Sequence, residues 1–246
     1  MRLSVGRDPD DAARLAAEEI ARVCTATIAA HGRVLLALSG GTTPWRMIEQ
    51  WRAFPLDWSR VHVAQVDERI APRSDPRRNL APLETLLVYE GRLPQANLHR
   101  LPVDAEDVES AARSFQQTLE RQFGAPLRFD LVQLGLGADG HTASLVPGDG
   151  VLEVADRDVA VTSAPYEGLR RMTLTYPALN RARRRLWLVT GAAKSRRLAE
   201  LLTRAGSSPA VRVAEARSVV FADTEAARDL SGVMGSGASP GTGGAP

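Results

Sequence analysis

The chain has 246 residues, 44% hydrophobic and 24% charged, enough for one large globular domain or two small ones. Lys+Arg (31) and Asp+Glu (29) nearly balance at a formal net charge of +2, which excludes a polyanion binder by composition. No apolar run approaches the roughly 18 residues of a membrane span, and a lone cysteine excludes an internal disulfide framework.

The opening MRLSVGRDPDDAARL has no apolar stretch of the signal-peptide type, so a cytoplasmic location is expected. Asp8 to Asp11 supply a cap and first-turn acids for a helix. Its apolar face runs through Ala12, Leu15, Ala16, Ile20, Val23, Cys24 and Ile28, and His31 and Gly32 end it. On that face Cys24 reads as a small buried hydrophobe, not a nucleophile.

VLLAL, residues 34–38, reads as the first buried strand. It runs into Ser39-Gly40-Gly41-Thr42-Thr43-Pro44, and Trp45, Met47, Ile48 and Trp51 then indicate a helix. Thr43 is expected at its N-cap and Pro44 at its first position. A strand, a loop of glycines and hydroxyls and a helix N-terminus suit an anion, because backbone N–H groups converge there and the helix dipole favours negative charge. Without the P-loop lysine, one phosphate fits better than a triphosphate. A tight turn that simply needs glycine accounts for the same residues.

Trp58 to Asp67 reads as a second strand, with His62 alternating within it as a structural residue. It ends in Asp67-Glu68-Arg69, at the edge where open α/β sheets place their sites. Asn79 is expected to cap a helix over residues 80–90, and a helical pattern spans 104–123 with Val108, Ala111, Phe115, Leu119 and Phe123 on one face.

The central stretch is FDLVQLGLGADGHTASLVPG, residues 129–148. A buried strand, Leu131 to Leu136, ends in a turn built on Gly135, Gly137 and Gly140 that carries Asp139 and His141. Imidazole suits proton transfer near neutral pH, whereas a hydrogen-bonded polar pair in a plain turn is the competing explanation. Gly135-x-Gly137-x-x-Gly140 also spells the dinucleotide fingerprint, but Asp139 would repel a pyrophosphate and Val159 to Ser163 ends without the acid expected on a ribose.

Residues 151–175 are β-rich, in VAVTSA and RMTLT, and Tyr176 to Arg181 reads as a short helix. RRLWLVTG is a further strand, followed by a helix with Lys194 in its first turn. A lysine there opposes the helix dipole unless it faces an anion. SVVFAD is the last strand. Alternating strands and helices predict a mainly parallel sheet covered by helices. The expected organisation is one α/β domain over 1–230 and a low-complexity, disordered tail over 231–246.

ALSGGTTP at 37–44, VDER at 66–69 and GLGADGHTASLVPG at 135–148 resemble the 6-phosphogluconolactonases, and RRMTLT and TGAAKS fit the same family in order. Val146 stands where that family commonly has Phe, and Arg78 where it commonly has Ser. The resemblance implies a Rossmann-like sandwich with helices on both faces of the sheet. It also implies a carboxylic ester hydrolase acting on 6-phospho-D-glucono-1,5-lactone, with no metal or organic cofactor. The four scattered histidines, none at zinc-type spacing, agree with that. By this resemblance His141 activates water and returns a proton to the leaving ring oxygen, Asp139 orients the imidazole, and Asp67 lines the site. The phosphate is expected against Ser39, Gly40, Gly41, Thr42 and Thr43, with Arg171, Lys194 and Arg69 as charge partners.

Glucosamine-6-phosphate deaminases share the DGH but continue with an acidic residue, where this chain has TASLVP. A sugar-phosphate-sensing regulator would need a DNA-binding helix-turn-helix, for which the segment before VLLAL has no room. Neither nucleic acid nor membrane is an expected partner. The sequence leaves the oligomeric state open and is compatible with a monomer.

Overall fold

The computed structural model describes residues 1–230, so the tail from Ser231, and the disorder expected of it, lie outside the described residues. The elements run β1 (Arg2–Gly6), α1 (Pro9–His31), β2 (Val34–Leu38), α2 (Thr42–Trp51), β3 (Val61–Gln65), β4 (Asp67–Arg69), α3 (Leu80–Glu84) and β5 (Leu98–His99). They continue with α4 (Val108–Phe123), β6 (Leu131–Leu134), β7 (Val159–Val161), β8 (Arg171–Leu174), α5 (Tyr176–Arg181) and β9 (Arg185–Val189). The last are α6 (Ser195–Thr203), α7 (Pro209–Arg212), β10 (Ser218–Asp223) and α8 (Thr224–Ala227).

Seven strands pair in the order β1-β10-β9-β6-β2-β3-β5, and every pairing is parallel. Alternation along the strands divides the interior into two cores. On β2, Val34, Leu36 and Leu38 face the core that also takes Ala16, Ile20 and Cys24 of α1 and Met47, Ile48 and Trp51 of α2. Leu35 and Ala37 face the other core, with Leu119 of α4, Leu179 of α5 and Leu198 and Leu201 of α6. Helices therefore cover both faces, as expected. Burial pushes the Cys24 thiol far above its ordinary pKa, aided by the nearby Asp130, so it stays an inert core group.

Four local expectations need correction. A strand, β1, precedes α1 and pairs with β10 at the sheet edge. Helix α2 begins at Thr42, with Gly41 as its N-cap at φ 120°, a conformation that favours glycine. Thr43 is therefore the second helical residue, with its Oγ1 2.7 Å from Thr190 Oγ1, and Pro44 falls at the third helical position. Asn79 takes the N-cap position of α3 as expected, but its side chain makes no cap hydrogen bond; its amide donates to Asp67 O at 3.1 Å instead. Lys194 closes a 3₁₀ turn, Ala192–Lys194, and is the N-cap of α6.

A second, antiparallel sheet, β4-β8-β7, was not anticipated. The chain leaves the parallel sheet after Gln65, and Leu174 N donates to Val66 O at 2.8 Å where the two sheets meet. Val159, Met172 and Leu174 pack into the same core as α4 and α5. The small sheet thus stands at the carboxyl end of the large one and carries Asp67, Arg69 and Arg171 with it.

Leu36 is fully buried in the central β2. Leu36→Ala should lower the unfolding free energy by about 2–5 kcal/mol, measured by urea denaturation.

Candidate active site

Because the large sheet is parallel, the carboxyl ends of β2, β6 and β9 open at one edge. The loops leaving them, with β4 and β8 of the small sheet, enclose a cleft of about 360 Å³. Ser39, Gly40, Gly41, Thr42, Thr43, Asp67, Arg69, His141, Arg171 and Lys194 all line it. Of the residues singled out from the sequence, only Asp139 does not reach the cleft wall; it lies behind His141.

His141 and Asp139 sit on the loop after β6. Gly137 N donates to His141 O at 2.8 Å and Gly140 N to Gly137 O at 3.0 Å, so the chain doubles back tightly. Within that turn Asp139 Oδ1 accepts the His141 backbone N–H at 3.1 Å and lies 2.7 Å from His141 Nδ1. A carboxylate partner fixes the proton on Nδ1 and leaves Nε2 with its lone pair. The turn demands glycine for a steric reason: a Cβ on Gly137 would lie 2.2 Å from His141 Nδ1 and 2.5 Å from Asp139 Oδ1. Burial raises the Asp139 carboxyl, but the His141 backbone and imidazole and the Tyr166 hydroxyl outweigh it and hold the pKa below the ordinary value.

The far side of this loop is pinned to the small sheet. Ser144 N donates to Thr173 Oγ1 at 3.1 Å, and Ser144 Oγ donates to Asp67 Oδ2 at 2.6 Å. Asp67 is buried with one oxygen occupied this way.

Three cations share the cleft. Arg69 donates through Nη1 to Asn79 Oδ1. Arg171 is almost wholly buried; its Nη2 donates to Glu167 Oε2 at 3.0 Å, and its Nε has no hydrogen-bond partner among the described residues. Lys194 is half-buried, its ammonium makes no hydrogen bond or ion pair among the described residues, and burial lowers its pKa against the opposing pull of Asp139. The first turn of α2 adds the unpaired N–H groups of a helix N-terminus. Gly40 is required by close approach, since a Cβ there would lie 2.0 Å from Asn79 Oδ1. The cleft therefore offers an anion both charge and donors, beside an imidazole whose Nδ1 faces Asp139.

Asn79, Thr190 and Tyr166 belong to this arrangement and were missed as site residues. The sequence marks Asn79 as a helix cap, and nothing in the local pattern marks the other two.

The family model described as glucosamine-6-phosphate isomerases/6-phosphogluconolactonase matches residues 7–222. The chain belongs to this family. It is 38% identical over 192 residues to the 6-phosphogluconolactonase of Synechocystis sp., covering 74% of this chain and 79% of that one. It is 35% identical over 204 residues to the GDH/6PGL endoplasmic bifunctional protein of Homo sapiens, covering 78% of this chain and 25% of that protein. The crystal structure of 6-phosphogluconolactonase from Thermotoga maritima superposes with a TM-score of 0.80 at 25% identity, covering 90% of this chain and 98% of that one. In this family member, no helix among the described residues is long and apolar enough to cross a membrane.

Gly137→Ala should separate Asp139 from His141 while leaving the sheets intact. The expected result is unchanged circular dichroism with a shifted His141 imidazole titration by NMR. A folded pKa below the unfolded value, about 3.9, means that ionised Asp139 stabilises the fold fully above that value. The contribution is lost as pH falls through the lower folded pKa. Asp139→Asn should therefore destabilise the protein at pH 7, with the difference shrinking below about pH 4 in urea unfolding.

Proposed function

We propose that the chain hydrolyses 6-phospho-D-glucono-1,5-lactone to 6-phospho-D-gluconate, the second step of the oxidative pentose phosphate pathway. The observation that carries this reading is the His141–Asp139 pair at 2.7 Å, opening on a cleft that also holds Arg69, Arg171 and Lys194. The reading assigns no metal or organic cofactor and a cytoplasmic location.

The substrate is a cyclic ester with a phosphate handle. Its phosphate lies against Ser39, Gly40, Gly41, Thr42 and Thr43, where helix N–H groups, Arg171, Lys194 and Arg69 neutralise it. Asp67 has one carboxylate oxygen left over from Ser144 and accepts from a sugar hydroxyl. His141 takes a proton from water through Nε2 as the water oxygen attacks the lactone carbonyl carbon. Asp139 holds the imidazole in the required tautomer and stabilises the imidazolium that forms. Collapse of the tetrahedral intermediate breaks the bond to the ring oxygen, which receives the proton from His141. One water is consumed and the base is restored.

The family also contains glucosamine-6-phosphate isomerases. Ring opening and proton transfer between carbons need a further acid–base group, and residues 142–148 after His141 contain no carboxylate.

The test follows loss of freshly made 6-phosphogluconolactone against its spontaneous background. The wild-type protein should accelerate it, and His141→Ala should lose about 10²–10⁴-fold in kcat. Arg171→Ala and Lys194→Ala should raise KM more than they lower kcat. No acceleration by folded wild-type protein would overturn the lactonase reading.

A further inference from the structure

Tyr166 has no part in the chemistry above, yet it touches both halves of the site. It lies on the hairpin between β7 and β8, where Tyr166 N donates to Leu169 O at 3.0 Å. Glu167 and Gly168 turn the chain at φ 52° and 81°, the left-handed pair of a tight two-residue hairpin, so the position of Tyr166 is fixed by its backbone.

The phenol points at the Asp139–His141 pair. Its hydroxyl donates to Asp139 Oδ2 at 3.2 Å, the oxygen that His141 leaves free, and sits 3.5 Å from His141 Nδ1. The two rings meet edge to face with centroids 5.3 Å apart. The Tyr166 ring also carries the Arg171 guanidinium 4.9 Å from its centroid, and Tyr166 O accepts from Arg171 Nη2 at 3.4 Å. A half-exposed tyrosine could leave its hydroxyl in water; this one spends it on a carboxylate.

We propose that Tyr166 is a positioning residue of the lactonase site: its hydroxyl fixes the second oxygen of Asp139, and its ring, braced by Arg171, ties that carboxylate to the phosphate side of the cleft. With both oxygens anchored, the carboxylate plane cannot rotate and the imidazole keeps its aim. The phenol also withdraws charge from Asp139, so Asp139 grips an imidazolium less strongly than it would alone. The charged and titratable groups around His141 are Asp139 on its own loop, Tyr166 and Glu167 on the hairpin, Arg171 on β8, Asp67 and Arg69 on β4, Lys194 after β9, and Arg197 of α6, which reaches Ala138 O at 3.3 Å. Only Tyr166 gives Asp139 Oδ2 a neutral donor among them.

The proposal rests on the lactonase reading and is tested with Tyr166→Phe and Tyr166→Ala. The Phe variant keeps the ring on Arg171 and loses only the hydroxyl. Its kcat should fall by about 2–10-fold, with KM nearly unchanged. The acid limb of its kcat/KM profile should move to higher pH by about half a unit, because Asp139 then holds imidazolium more firmly. The Ala variant should add a rise in KM, as Arg171 loses its support. The His141 imidazole titration, assigned by its absence in His141→Ala and followed by NMR in the free protein, should shift upward in the Phe variant. That shift needs no substrate, so it separates failure of this proposal from failure of the lactonase reading. Wild-type kcat, pH limb and titration in Tyr166→Phe would overturn it. So would a loss of activity with neither limb nor titration moved, which is a packing effect. If Tyr166→Ala does not fold, the Phe variant still decides.

Discussion

One fully buried carboxylate, Glu68, holds together the parts of the chain that meet at the cleft. An ionised carboxylate out of water costs several kcal/mol unless donors surround it. Glu68 has them: Gln65 Nε2 at 2.9 Å, and the backbone N–H groups of Arg69, Asn79 and Leu80 at 2.8 Å each. The buried Arg78 adds its charge at 3.4 Å. These bonds fix the end of β3, all of β4 and the start of α3 relative to one another. Arg69 and Asn79 are thereby aimed at each other, and the Asn79 amide occupies the space that a side chain on Gly40 would need. A buried charge on one strand thus shapes the Gly40-Gly41 loop that follows another.

The second constraint is the parallel sheet. Its two apolar cores set the strand edges, and every loop at the carboxyl end inherits a fixed starting point. Those loops still need a lateral support, which the small antiparallel sheet provides. Thr173 on β8 and Asp67 on β4 both bond Ser144, three residues after His141. The turn that carries His141 is therefore held from β6 on one side and from the small sheet on the other. This is the arrangement that lets a loop carry chemistry without losing its geometry.

Local chemistry made much of this legible before any coordinates. An apolar strand that stops at closely spaced glycines bearing Asp139 and His141 is a signal contained in a few residues, and so is Ser39-Gly40-Gly41-Thr42-Thr43. Strand alternation also explains why Arg171 and not Arg170 enters the cleft: Arg171 is buried at its wall, while Arg170 turns away to Thr162 O and Glu109. The failures share a physical origin. Strands of three or four residues, such as β4, β7 and β8, contain too few alternations to register as a separate antiparallel sheet. Thr43 and Asn79 have the right chemistry for caps, but Thr190 and Asp67, more than a hundred and about a dozen residues away respectively, compete for their side chains. Tyr166 is defined only by what the folded chain brings beside it.

The charges around the cleft divide into those that must stay and those that can yield. Glu68 and Arg78 are both buried, so removing Arg78 takes a buried counter-charge from Glu68, while Arg78 is held by Asp104 at 2.6 Å as well. The pair between Arg171 and Glu167 is different in kind. Arg171 is 5% exposed at its side chain, but Glu167 is 70% exposed. A solvated carboxylate holds its partner weakly and is readily exchanged for another anion. Lys194 goes further: its ammonium faces the same cleft with no bonded partner among the described residues, and burial lowers its pKa. On the proposed reading, a phosphate in the cleft offsets the hydration that burial takes from Lys194 and displaces only a carboxylate that water can receive. The permanent ion pairs lie in the scaffold and the exchangeable ones at the cleft, so an anion can enter without loosening the frame that positions His141.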